Sequence, residues 1–444
     1  MSSLNPELRR NLWLTLTTHR LLAAPLVIAL CAGLIVAANK KGALEILEGA
    51  SALGFAAMVL LWGTQLAGAS VTEEARDRTW DAQRMSAIGP WAMTWGKLFG
   101  APAFAWYGGG ILLAIYLAAG AGGTRPVLRI GALMVSSAIL LHAIALNASV
   151  LAARKGVNQR GSSVLIFLVL LMVLAGPGSA VMDDLDKSVR WWGLTLGRID
   201  FMLGTATAFA AWALLGAYRS MCNELEIRTT PWALPAFIVF AAVYFAGFAM
   251  RGTHNDPKAL FGNLACGVVV AGGFTYLMLF TEKSGATAWQ RLRVRITGGQ
   301  WRRALQELPL WLVALASGLV FAAGATFTST GSGKESFLHD VGLAPIAVML
   351  FILRDAAIFQ FFALARQPRR VEAATVFYLV LLYGILPGLL RVVGADFLAD
   401  LVLPPLFTNP AQATGIVLLH AGVAIALAYA RWRTTHAQDG QTST

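Results

Sequence analysis

Twelve separate runs of about 17–25 apolar residues punctuate this chain, the length at which a helix crosses a bilayer. They fall at about 21–38, 51–71, 98–119, 131–152, 163–182, 201–217, 232–250, 260–281, 309–327, 341–363, 374–394 and 413–431. Arg125, Pro126 and Arg129 separate the third from the fourth, and Pro387 kinks or shortens the eleventh. No soluble architecture has room for so many such segments. The composition agrees: 57% of residues are apolar and 13% charged, against about 25% charged in a soluble domain. A mean hydropathy of +0.64 requires segments whose solvent is lipid. The expected fold is therefore an all-α polytopic membrane protein.

The first run follows Arg9, Arg10 and Arg20, and Val36-Ala37-Ala38 has the small residues of a cleavage site. At about 18 residues it exceeds the roughly 7–15 of a signal sequence core, so it reads as a retained span. Cys31, Cys222 and Cys266 lie far apart, without metal-ligand spacing.

Charge placement sets the expected topology. With both ends cytoplasmic, the inside connections hold 23 of the 35 Lys and Arg and the outside ones 11. Acidic residues divide evenly, 11 on each side, and Arg354 and Asp355 remain within a helix. The resulting positive inside surface fits twelve spans with cytoplasmic ends, and it accounts for the basic isoelectric point without nucleic-acid binding. The localisation that follows is multi-pass, in the plasma or inner membrane, with membrane lipids as obligatory partners.

A repeat of architecture underlies the pattern. Glu7-Leu8-Arg9-Arg10-Asn11-Leu12-Trp13 leads into the first span, and Met221 to Arg228 leads similarly into the seventh. Two six-helix halves, 1–217 and 218–444, are expected.

The richest connection runs from Thr72 to Lys97. Glu73, Glu74 and Asp77 crowd the start of an expected short helix, Arg84 lies towards its end, and Gly89-Pro90 stops it. Trp80, Met85, Ile88, Trp91 and Trp95 suit a membrane–water boundary. The reading is a charge-rich helix, exposed to the cytosol, that forms a rigid handle between two spans.

This segment resembles the corresponding loop of the ABC-2 type permeases, the membrane subunits of one group of ATP-binding-cassette exporters. In that family an acidic residue, a Thr and a second acidic residue follow the second helix, then a stretch with Pro, then Gly-Lys opening the third. Those places are similar to Glu74, Thr79, Asp81, Pro90, Gly96 and Lys97 here. The stretch Asn5-Pro6-Glu7-Leu8-Arg9-Arg10 resembles the family's interfacial helix. The likeness covers residues 5–120, about a quarter of the chain. It implies a coupling helix at 72–97, with Glu73 among its charges, that docks on separate cytoplasmic ABC ATPase subunits. It implies no catalytic residue, cofactor or metal in this chain. The family's usual subunit has six spans, so twelve imply two fused halves or an added membrane region.

In the second half, the connection from Glu282 to Glu307 lacks the acidic pattern. It carries Arg291, Arg293, Arg295, Arg302 and Arg303 around Trp289 and Trp301. Two readings stand: a basic loop lying on anionic headgroups, or a second, divergent handle. Gly331-Ser332-Gly333-Lys334 only glances at a phosphate loop, because Thr328 and Glu335 occupy positions that need Gly and Ser or Thr.

Ionisable residues within spans are costly and are functional hypotheses by default. Arg354 and Asp355 share the tenth run; as neighbours they diverge by about 100° and need not pair. They fit an ion-pair network or a transport path. His142 and His420 stand singly, each expected to hydrogen-bond a neighbouring helix. Gly108-Gly109-Gly110 and Gly176-Pro177-Gly178 permit close helix approach or breaks. The leading expectation is an exporter's permease subunit, whose largely apolar path would suit lipids, drugs or hydrophobic peptides equally. An ion-coupled secondary transporter with two six-helix halves is the alternative, with Asp355 its one clear buried acid. An intramembrane enzyme would need a polar cluster at one depth, and none is visible.

Overall fold

The structure, a computed structural model, describes residues 5–39, 41–123, 126–155, 188–227, 229–249, 257–282, 286–330, 342–365, 371–405 and 409–439. Among these, ten helices are long and apolar enough to cross a membrane, and Ala233–Phe248 is a shorter apolar helix. The chain is a helical multi-pass membrane protein. Eleven of the twelve expected runs thus coincide with apolar helices, ten of spanning length and the seventh shorter. The fifth run, Gly176-Pro177-Gly178 and the phosphate-loop-like segment lie outside the described residues.

The chain divides into two compact units, Met1–Val189 with Thr195–Thr229, and Arg190–Leu194 with Thr230–Thr444. The expected junction near 218 falls inside an unbroken helix, Arg198–Glu224.

In the first unit, α1 (Pro6–Thr15) precedes the span α2 (Thr18–Ala38). A single helical rod then runs from Ala43 to Arg76. It comprises α3 (Ala43–Phe55), a π-helical stretch Ala56–Gly63 and α4 (Thr64–Arg76). Thirty-four residues rise about 50 Å, well beyond the roughly 30 Å of hydrocarbon, so the rod's polar end projects into water. A turn leads to α5 (Trp80–Arg84), then α6 (Pro90–Gly100), the span α7 (Ala103–Gly120) and α8 (Val127–Lys155). A two-stranded hairpin, β1 (Ser188–Trp191) and β2 (Leu194–Gly197), precedes α9 (Arg198–Glu224).

Packing within this unit uses small residues. A Cβ on Gly108 would lie 2.3 Å from the Met58 methyl, and one on Gly109 would lie 2.1 Å from Val59 Cγ2. These two glycines therefore let α7 sit directly against the π-helical stretch, while Gly110 faces open space. Helix α8 is fastened at both ends. Arg129 pairs with Asp200 of α9 at 2.9 Å. Far along α8, Ser149 Oγ accepts the Val71 and Thr72 amides, each at 3.2 Å. The end of α4 and the end of α8 thus lie on one side, opposite Arg129 and Asp200.

The second unit holds α10 (Ala233–Ala249), α11 (Pro257–Thr281), α12 (Ala286–Thr297), α13 (Trp301–Gln306), α14 (Leu310–Thr330) and α15 (Ala344–Ala363). They are followed by α16 (Val371–Val380), a π-helical turn Leu381–Ile385, α17 (Leu386–Val392), α18 (Asp396–Val402) and α19 (Pro410–Asp439). The π-helical turn falls just ahead of Pro387, whose missing N–H disrupts the regular ladder. The core gathers Val268 and Leu279 of α11, Trp311, Leu315 and Ala322 of α14, and Met349, Ile352, Ala356 and Phe359 of α15. At the start of this unit, Trp191 and Trp192 donate their indole N–H groups to the Tyr244 and Val243 carbonyls at 2.9 and 3.1 Å.

Candidate functional site

The segment expected to be one exposed helix is in fact three pieces. Glu73 and Glu74 belong to the last turn of α4; Arg78, at φ 59°, ends that rod, and α5 has only five residues. Gly89-Pro90 does not stop a helix but starts one, with Gly89 extended and Pro90 at the first position of α6. Gly96 and Lys97 sit in the last turns of α6 rather than opening α7.

This geometry draws four elements, α1, α4, α5 and α6, onto one buried node. Asn5 caps α1, its side-chain oxygen accepting from the Glu7 and Leu8 amides at 3.0 and 3.4 Å. Its amide nitrogen donates to the Ala92 carbonyl on α6. Helix α1 then lies across α6 because Gly96 and Gly100 have no side chain: a Cβ at Gly96 would come 2.5 Å from Glu7 Cβ, and one at Gly100 2.7 Å from Asn11 Cβ. Asn11 donates to the Gly96 carbonyl at 3.3 Å.

At the crossing, Lys97 Nζ donates to Glu74, to Glu7 Oε1 at 3.4 Å and to Gln83 Oε1 at 3.1 Å. It also stands 5.0 Å from the centre of the Trp80 ring. Arg10 reaches Glu7 at 3.4 Å and Glu74 at 3.2 Å. Gln83 donates to Glu74 Oε1 at 2.7 Å. The node therefore balances the charges of Lys97 and Arg10 against Glu7 and Glu74. Lys97 and Glu7 are both 1% exposed. Burial of such charges is tolerable only with this degree of pairing.

The expected coupling residues thus separate by burial. Glu74, Gly96 and Lys97 are internal, and Glu74 is not the exposed charge the sequence implied, because α4 carries it back onto α6. Pro90 is half-buried at the head of α6. Glu73, Thr79 and Asp81 face outward. Thr79 amide and hydroxyl both donate to the Glu74 carbonyl, at 2.9 and 3.3 Å, and close the turn. The Asp81 side chain is 80% exposed and, among the described residues, pairs with Arg84 alone, at 3.5 Å. Around them Asp77, Arg78, Ala82 and Met85 complete the exposed side of a tip at 77–87, whose inner side buries Trp80 and sets Arg84 3.8 Å from Glu224.

In the second unit, Arg354 and Asp355 are both buried, and they do pair. The long guanidinium arm curls back along α15 so that Nε and Nη2 reach Asp355 Oδ1 at 3.0 and 2.9 Å. The second carboxylate oxygen accepts the Tyr276 hydroxyl of α11 at 2.6 Å and the Tyr383 hydroxyl at 2.8 Å. Tyr383 lies in the π-helical turn, and its ring and that of Phe351 flank the guanidinium at 4.9 and 4.8 Å. One carboxylate thereby ties α15 to α11 and to the π-helical turn, with both of its oxygens engaged.

His142 is fully buried and donates from Nε2 to the Val59 carbonyl at 2.9 Å, within the other π-helical stretch. The expected interhelical hydrogen bond is present. His420, half-buried on α19, has no hydrogen-bond partner among the described residues. Among those residues no three His, Cys, Asp or Glu gather as metal ligands would.

Sequence reasoning missed the partners. Glu7, Gln83, Tyr276 and Tyr383 were not singled out as site residues. A lysine within the apolar run Trp95-Gly96-Lys97-Leu98-Phe99 is itself a signal that a carboxylate must come to meet it. Glu282 has a different use from a handle charge: its oxygens accept the Leu310 amide at 3.0 and 2.9 Å and the Trp311 amide at 3.5 Å, capping α14 across 28 residues of sequence. No family model, curated protein or solved structure matches the chain.

Proposed function

We propose that this membrane protein is the permease subunit of an ATP-driven exporter of the ABC-2 type, worked by separate ATPase subunits that grip the tip at 77–87. The supporting observation is the buried node beneath that tip. The tip is bounded by α4 and α6, and Lys97 joins Glu74 of α4 to Glu7 of α1. A push on the tip would be borne by α1, α4 and α6 together instead of being lost in a pliant loop. Nucleotide-driven movement of the ATPases would then bias the spans between inward- and outward-facing states through differential affinity for the two.

The test uses surface residues, because Glu74 and Lys97 hold the fold. The double variant Asp77→Arg, Asp81→Arg should reach the membrane folded yet lose both transport and co-purification with the ATPase. Normal transport by that variant would remove the coupling role.

A second reading, an ion-coupled transporter, draws on the complete burial of Asp355. Its carboxylate is already engaged by Arg354 and two tyrosine hydroxyls, an arrangement that holds helices together. Gradient-driven transport abolished by Asp355→Asn in a folded protein would favour it.

A further inference from the structure

Helices α12 and α13 form a hairpin strung between the end of α11 at Thr281 and the start of α14 at Leu310. It turns at Gly298-Gly299, where Gly299 has φ 69°. Both of its attachments are ends of spans, so the hairpin lies at the level where the bilayer gives way to water. Its inner side is fixed. Leu292 and Ala304 are buried, Trp289 donates to Gln360 of α15 at 3.2 Å, and Trp289 meets the Trp311 ring edge-on at 6.2 Å. Arg295 belongs to this framework, paired with Glu307 at 3.4 Å and Gln300 at 2.7 Å.

The outer side has a different chemistry. Arg291, Arg293, Arg302 and Arg303 are exposed, the Arg293 guanidinium lying 5.7 Å from the Trp432 ring of α19, and among them stand Val294, Trp301 and Leu305, at 63, 63 and 55% exposure. From 286 to 309 there are five arginines and one carboxylate, and that carboxylate, Glu307, is already held by Arg295. Arg291 and Arg302 have no acidic partner among the described residues. The face therefore offers cations and apolar side chains in alternation, with no anion of its own.

We propose that this face is a binding surface for anionic phospholipid. The four arginines would contact headgroup phosphates, while Val294, Trp301 and Leu305 enter the boundary with the acyl chains. The charge complementarity is one-sided, as a leaflet of anionic lipid requires. A protein groove fitted to the tip at 77–87 would meet Asp77 and Asp81 there and only cations here. The two surfaces therefore call for different occupants.

The test places a fluorophore at Leu305→Cys in the full chain, with Cys31, Cys222 and Cys266 replaced by Ala, in bilayer nanodiscs. Quenching by spin-labelled phosphatidylglycerol is compared with quenching by spin-labelled phosphatidylcholine. Phosphatidylglycerol should quench several-fold more strongly at low salt, and the preference should shrink as salt screens it. In the variant Arg291→Gln, Arg293→Gln, Arg302→Gln, Arg303→Gln the two lipids should quench alike. Arg295 is left intact in this variant so that the hairpin keeps its internal pairing. Equal quenching by both lipids in the chain with its arginines would overturn the proposal. So would a preference that survives their removal. A label reached by neither lipid, but shielded when the ATPase is added, would refute it in favour of a protein partner.

Discussion

Lys97 shows how much one residue can organise. Its ammonium is enclosed by two carboxylates, an amide and an indole face, so Lys97→Met would leave Glu7 and Glu74 with Arg10 as their one shared cation among the described residues. Removing one member of a buried pair costs about 3–5 kcal/mol. A marked fall in the temperature at which the detergent-solubilised protein aggregates is the expected result, partly recovered by adding Glu7→Gln. A smaller effect belongs to Glu282. Its loss as a cap in Glu282→Ala should cost about 1–2 kcal/mol, read in the same assay, with no change in transport per folded molecule. The sequence showed that these residues were charged and near span ends, but not their partners. Glu7 and Lys97 are 90 residues apart, and no local rule links them. For Arg354 and Asp355 the local rule left pairing open, because it describes Cβ directions while the guanidinium pairs from the end of a long flexible arm.

Among the elements, α1 depends on the absence of side chains beneath it. Gly96→Ala would place a methyl 2.5 Å from Glu7 Cβ and 2.9 Å from the Leu8 nitrogen, the latter being backbone that cannot swing aside. Helix α1 must then lift from α6. Trypsin should cut faster after Arg9 or Arg10 in this variant, whereas Gly110→Ala, which faces open space, should digest like the parent chain. The apolar helices were the most legible part of the fold, since hydropathy over a span's length is a strong and local signal. The breaks were less legible. The two π-helical stretches carry ordinary apolar sequences, Ala56–Gly63 and Leu381–Ile385, and only Pro387 gave notice of the second. The 72–97 segment looked like a single helix because its charges suit a helix N-terminus; the rod instead continued past them, its polar end already in water.

For the molecule as a whole, the charge distribution makes a prediction about sidedness that the first unit's packing sharpens. Arg129 and Asp200 lie at one end of the α8–α9 pair, while Val71, Thr72 and Ser149 meet near the other. Cysteines introduced at 129 or 200 should be labelled by an impermeant reagent in intact cells, and those at 79 or 293 should be spared. Labelling at 79 would invert the orientation. The buried node also has a chronology. Ribosomes deliver the N-terminus first, yet the lysine that receives Glu7 is made 90 residues later. At 5–20 residues per second the delay is roughly 5–18 s. Throughout that interval α1 must wait with its carboxylate and glycine-facing side unoccupied, while α2 and the following rod are made. Docking of α1 therefore waits for α6, and a nascent chain released before α6 is complete would present α1 undocked to whatever quality-control machinery surveys the membrane surface.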